Sequence, residues 1–175
     1  MSIITVIGSG LMGSAMSVPA SDNGHLVRLV GTPLDREIIR SLQEKGVHLT
    51  LPCALPEGIQ AFQFEAVREA LEGADLVICG VSSFGVDWFA EEALPLLPEG
   101  VPVLNVTKGL LGYPDGRLEP FPYFFARKRP DLSFAAIGGP CTSYELGDRR
   151  QTLVCFCSEN LETAKFAQDL LKTSY

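Results

Sequence analysis

The chain has 175 residues, 46% of them hydrophobic, which is enough to build the core of one domain over residues 1–175. A formal net charge of −7 excludes an extended nucleic-acid-binding face, because a phosphate backbone needs a basic surface, yet it allows one small anionic ligand in a local pocket. No apolar run reaches the roughly 20 residues that cross a bilayer and no basic segment precedes the first apolar stretch, so the sequence predicts no membrane insertion, no signal peptide and a cytoplasmic location.

Ile3 to Ile7 is a continuous apolar run suited to a strand buried on both faces. It feeds directly into Gly8, Gly10 and Gly13, spaced as G-x-G-x-x-G. A helical pattern follows from Leu11 to Asp22, with Pro19 predicting a kink or an early end. The turn at Asn23-Gly24 leads to a second strand, Leu26 to Val30, and then to a helix from Leu34 to Lys45 closed by Gly46. Further helices are predicted over Phe64 to Leu71, Gly85 to Leu97 and Leu161 to Leu171. The remaining strands are Ala74 to Val81, Val101 to Val106, Leu132 to Ile137 and Thr152 to Phe156. The proline-rich stretch from Gly112 to Pro130 reads as a loop leading into a short helix. This alternation defines an α/β fold of the Rossmann type, with a doubly wound, mostly parallel sheet.

Each glycine has a task in dinucleotide binding. Gly8 allows a tight turn, Gly10 lets the backbone approach a pyrophosphate, and Gly13 permits close packing of helix on strand. The N–H groups of that turn and the helix dipole would then hold the diphosphate, the alternative being a purely structural turn. NAD-selective sites commonly place a carboxylate at the end of the second strand, where this chain has Gly31-Thr32. That absence favours NADP over NAD, with Thr32 beside the ribose and Arg36 as the candidate cation, although Arg36 also suits a solvated helix face and Asp35 stands next to it.

Strand ends in such a sheet border the ligand crevice. Ser82, Ser83 and Phe84 therefore stand near a cofactor, although Ser83 also suits a helix cap. Lys108, just past a buried strand and before Gly109, should project into the same crevice to hold a phosphate or hydrogen-bond a reacting oxygen. Thr142 and Glu145 have the spacing of a capping box. The five cysteines form no C-x-x-C pair, which argues against disulfides. Cys155 and Cys157 are expected to be small buried residues sharing one sheet face, and no metal site is expected. Of the two histidines, His25 falls on the edge of the sheet away from the crevice and His48 lies in a stretch without a predicted element.

Three segments together resemble the NAD(P)-dependent glycerol-3-phosphate dehydrogenases. They are Gly8-Ser-Gly-Leu-Met-Gly13, Asn105-Val-Thr-Lys-Gly109 and Gly139-Pro-Cys-Thr-Ser-Tyr-Glu145. The resemblance implies that Leu11 and Met12 lie along the pyrophosphate loop and that Lys108 contacts substrate and cofactor. It also implies that Gly139 and Cys141 line the substrate site and that Ser143 approaches the cofactor. The family has serine where Cys141 stands. Its members continue into a helical C-terminal domain with a second, acid–base lysine, so the resemblance covers the nucleotide-binding half alone. The implied reaction is hydride transfer between NAD(P)H and dihydroxyacetone phosphate, giving sn-glycerol 3-phosphate for phospholipid synthesis. The implied partner is thus a small phosphorylated substrate, and a homodimer is compatible with it. Rival readings are a 2-dehydropantoate or 6-phosphogluconate type of dehydrogenase and a stand-alone nucleotide-binding module.

Overall fold

The computed structural model describes residues 1–175. Strand β1 (Ile3–Ile7) runs through the glycines into helix α1 (Leu11–Asp22), followed by β2 (Leu26–Val30) and α2 (Arg36–Lys45). Next come β3 (Gln60–Phe62), α3 (Val67–Leu71) and β4 (Leu76–Cys79). The segment after β4 is a composite of a 3-10 turn at Ser83–Gly85, α4 (Val86–Trp88), a π turn at Phe89–Ala93 and a second 3-10 turn at Leu94–Leu96. After β5 (Val103–Asn105) the chain forms a hairpin of β6 (Leu110–Gly112) and β7 (Leu118–Pro120), then α5 (Phe121–Lys128) and β8 (Phe134–Gly138). It ends with α6 (Ser143–Gly147), β9 (Cys155–Cys157) and α7 (Leu161–Leu171).

Seven strands join in the order β3-β2-β1-β4-β5-β8-β9, all parallel except β9. Successive residues of each central strand point to opposite faces, and both faces are covered. On one side Val77, Cys79 and Val103 meet Phe89, Phe125 and the apolar residues of α3. On the other side Ile4, Ile78 and Leu104 meet Met16 of α1, Ile39 of α2 and Leu170 of α7. This is the doubly wound architecture expected from the alternation of elements. The order reverses between β1 and β4, and that reversal opens a crevice beyond the strands' C-terminal ends.

Three expectations are corrected. Helix α1 does not stop at Pro19: the Asn23 N–H still reaches the Pro19 carbonyl at 3.1 Å. The flanking Val18 and Ala20 are fully buried, so packing offsets the one N–H that proline cannot supply. The helix expected over Gly85 to Leu97 is the irregular composite, because Pro95 has no N–H to continue an α-helical register. Cys155 and Cys157 do share a face, but both are exposed. They pair with Gly138 and Ala136 at the sheet edge, on the side where α5 packs over β8 and leaves β9 open. Phe156 between them turns toward the α7 side.

Candidate nucleotide site

Ile7, Cys79, Asn105 and Ala136 lie in one row across β1, β4, β5 and β8. The segments that follow them therefore leave the sheet side by side, over about 14 Å at the usual strand spacing. This brings together Gly8 to Gly13, Ser82, Lys108, Gly139 and Ser143.

At the reversal of strand order three glycines touch through their backbones. Gly8 has φ +110°, and a Cβ there would lie 2.7 Å from the Gly80 carbonyl carbon. A Cβ on Gly13 would lie 2.0 Å from the Gly8 oxygen, and one on Gly80 would lie 2.8 Å from the Gly13 Cα. Strand β1, strand β4 and helix α1 can meet this closely only without side chains at these positions. Gly80 was not singled out in the sequence, although its place at the end of an apolar run mirrors that of Gly8. Gly10 is different, with an ordinary φ of −67° and nothing within 4 Å of a Cβ built on it. It opens to the crevice. No side chain caps α1 and its first turn carries no acid, so the N–H groups of Leu11, Met12 and Gly13 have no capping partner from the protein.

Ser9, within the motif, is completely buried and held at both ends. Its N–H donates to Asp35 Oδ2 at 3.2 Å, and its carbonyl accepts from the Ser14 hydroxyl at 3.1 Å, with His48 Nε2 2.9 Å away. The same Asp35 oxygen accepts from the Thr32 N–H at 2.9 Å and the Thr32 hydroxyl at 2.8 Å. A carboxylate is thus present at the mouth of β2 after all. The turn closed by the Asp35 N–H on the Thr32 carbonyl, 2.9 Å, folds it back there, which linear position did not reveal. Arg36 points outward and pairs with Glu65, whose carboxyl that guanidinium holds below its usual range.

Ser82 occupies the cap position of the segment after β4 without a side-chain cap hydrogen bond, and Ser83 is already inside the turn, so neither serine caps it. Phe84 is 98% exposed beside them. Lys108 Nζ donates to the Gly139 carbonyl at 2.6 Å and so links the ends of β5 and β8. A cleft of about 670 Å³ opens beside it, with Asn105, Thr107, Tyr123, Ala136 and Cys157 among its walls.

Gly139, at φ +103°, presses against the Leu153 carbonyl, 2.6 Å from where a Cβ would sit. The predicted capping box is present, with the Glu145 N–H bonded to the Thr142 hydroxyl at 3.3 Å and the Thr142 N–H to the Glu145 carboxylate at 3.1 Å. The Thr142 hydroxyl, donating to the Glu145 carboxylate at 2.9 Å, and the Thr142 N–H together hold that carboxyl below its usual range. Ser143 is the first residue of α6. Cys141 is only 8% exposed and its thiol lies in the apolar cluster with Ile137 and Leu146, where burial pushes its pKa up. His25 sits at the opposite edge, its Nδ1 accepting from the Ser2 N–H at 3.1 Å.

A glycine junction at the reversal point of a doubly wound sheet, with a lysine two strands away, defines a nucleotide-binding domain of the Rossmann class. The family model for the N-terminus of NAD-dependent glycerol-3-phosphate dehydrogenase matches residues 3–164, and the chain belongs to that family. It is 35% identical over 175 residues to the NADP(+)-dependent glycerol-3-phosphate dehydrogenase of Archaeoglobus fulgidus, covering 99% of this chain and 51% of that protein. It is also 35% identical over 172 residues to a glycerol-3-phosphate dehydrogenase [NAD(P)+] of Bacillus pumilus, covering 95% and 48%. The fold superposes on the crystal structure of glycerol-3-phosphate dehydrogenase from Coxiella burnetii with a TM-score of 0.84 at 22% identity, over 99% of this chain and 51% of that one. The chain spans about half the length of the curated relatives it matches.

Proposed function

We propose that this chain is the nucleotide-binding half of an NAD(P)-dependent glycerol-3-phosphate dehydrogenase that interconverts dihydroxyacetone phosphate and sn-glycerol 3-phosphate. The observation that carries the reading is the convergence of the glycine junction, the Ser82 segment, Lys108 and Gly139 on one edge of the sheet. The residues present fit a dinucleotide, because the space at Gly10 is open and the first N–H groups of α1 are uncapped. Gly8, Gly10, Leu11, Met12 and Gly13 would hold its diphosphate, with Ser82 and Ser143 alongside. The cofactor supplies the hydride when bound.

Lys108 carries the protein's charge toward the substrate. With one proton given to the Gly139 carbonyl, its ammonium keeps two for a phosphate or carbonyl oxygen. Gly139 shapes that wall through its backbone. Cys141 contributes there through its main chain, since its thiol faces the core. NADP is the favoured cofactor: strand β2 itself ends without an acid and the Asp35 oxygen is already engaged by Thr32 and Ser9, while Arg36 would have to leave Glu65 to reach a 2′-phosphate. The reading places the protein in the cytoplasm, consistent with the lack of any helix long and apolar enough to cross a membrane, and is compatible with a homodimer.

Calorimetric titration of the chain with NADPH and NADH tests this directly, alongside an assay of dihydroxyacetone phosphate reduction. Binding of NADPH with little turnover is the expected result. Loss of dihydroxyacetone phosphate binding to the NADPH complex in Lys108→Ala, with cofactor affinity changed little, would support the role given to the lysine. No binding of either cofactor would refute the reading.

A further inference from the structure

His48 lies between α2 and Leu51 on a stretch without regular structure, yet it is only 6% exposed and its ring reaches the glycine loop. Its Nδ1 accepts the N–H of Leu51 at 2.9 Å and that of Thr50 at 3.2 Å. A ring nitrogen that accepts carries no proton, so the proton of the neutral imidazole sits on Nε2. Nε2 lies 2.9 Å from the Ser9 carbonyl and 3.0 Å from the Ser14 hydroxyl, which itself donates to that carbonyl at 3.1 Å. Two donors thus converge on one buried oxygen.

The oxygen belongs to the Ser9–Gly10 peptide, and no peptide bond in the chain is cis. A trans peptide points its N–H opposite its C=O. Drawing the Ser9 carbonyl toward His48 therefore turns the Gly10 N–H away from His48; that N–H meets no acceptor in the chain, and a Cβ on Gly10 would meet nothing within 4 Å. We infer that His48 is a positioning residue for dinucleotide binding, holding the Ser9–Gly10 peptide so that the Gly10 N–H faces the diphosphate. This rests on the dinucleotide reading given above. It also accounts for a polar ring at a buried position that an apolar side chain could fill.

The two nitrogens can be separated by substitution. In His48→Asn the amide oxygen takes the place of Nδ1 and keeps the Thr50 and Leu51 bonds, but residue 48 no longer reaches Ser9, whose carbonyl keeps only the Ser14 hydroxyl. In His48→Gln the amide nitrogen takes the place of Nε2 and keeps the donor to Ser9. Each variant is titrated calorimetrically with NADPH after a thermal melt has established that it is folded at the assay temperature, and the Gly10 amide resonance of the unliganded chain is recorded. His48→Asn should weaken NADPH binding about five- to tenfold, the effect of one lost hydrogen bond, and shift the Gly10 resonance. His48→Gln should bind within about twofold of the original chain and keep that resonance in place, whichever variant melts lower. An unchanged affinity in His48→Asn overturns the proposal. So does an equal loss in both variants, which would assign the effect to packing of the ring. If the original chain binds no dinucleotide, the underlying functional reading fails first and the inference falls with it. Should His48→Asn unfold below the assay temperature, the Gln variant and the Gly10 resonance decide, and a displaced resonance with weakened binding in Gln is the refuting result.

Discussion

Gly10 and Gly13 occupy the same motif but should fail in opposite ways when each is replaced by alanine. A methyl on Gly13 would sit 2.0 Å from the Gly8 oxygen, so helix α1 and the end of β1 must part by about 1.4 Å to restore ordinary contact. The neighbour is backbone and cannot rotate away. Overpacking of this severity costs about 3 kcal/mol or more, which lowers the melting temperature of a chain this size by on the order of 10 °C. Gly10 has helix-compatible φ and free space around it, so Gly10→Ala should change stability by no more than about 0.5 kcal/mol. The cost there appears only with ligand: the methyl stands where a diphosphate would approach, and NADPH affinity should fall at least tenfold, or about 1.4 kcal/mol. Thermal denaturation followed by circular dichroism, and calorimetric titration with NADPH, measure the two quantities separately. Equal melting temperatures for the two variants, or full NADPH affinity in Gly10→Ala, would refute the assignment of fold to Gly13 and ligand to Gly10.

Other expectations follow from the same geometry. Asp35→Asn removes a negative charge beside Thr32 and should raise the ratio of NADPH to NADH affinity, measured by paired titrations, whereas an unchanged ratio would separate Asp35 from cofactor choice. Arg149 donates twice to Asp22, at 2.7 and 2.8 Å, and this pairing lowers the Asp22 pKa below 3.8. A depressed folded-state value means stabilisation that is present above pH 3.8 and lost as the pH falls through the lower value. Asp22→Asn should therefore reduce stability at pH 7 by about 1 kcal/mol or less and have progressively less effect as the pH drops below 3.8, as read from urea denaturation across pH. In the native chain Cys155 and Cys157 should react with iodoacetamide well before Cys79, whose thiol burial pushes up to about 12, and mass spectrometry after brief alkylation will show whether the order holds.

The central strands and α1 were legible because continuous apolar runs and glycine spacing are local signals. So were the capping box and the crevice position of Lys108, each set by residues within a few positions of one another. The three-residue strands β3, β6 and β7 were not read, since three residues cannot establish a period. The exposure of Cys155 and Cys157 is not legible in the sequence, because burial depends on whether a helix covers that edge of the sheet, a tertiary fact. Asp35 and His48 illustrate the same limit within the site. Their partner Ser9 is 26 and 39 positions away, and only the folded chain shows that a turn and an irregular segment deliver a carboxylate and an imidazole to it.

The contact among Gly8, Gly13 and Gly80 also bears on the thermodynamics of recognition. A loop held by main-chain contact and by bonds at both ends of Ser9 has little conformational freedom left to lose when an anion arrives. On the proposed reading its amides would meet a diphosphate already aligned, so the entropy of ordering would be settled when the chain folds rather than at encounter. Sequence change at the junction is accordingly a matter of folding, while on the proposed reading Leu11, Met12 and the face opened by Gly10 would be the places where affinity can drift without disturbing the frame.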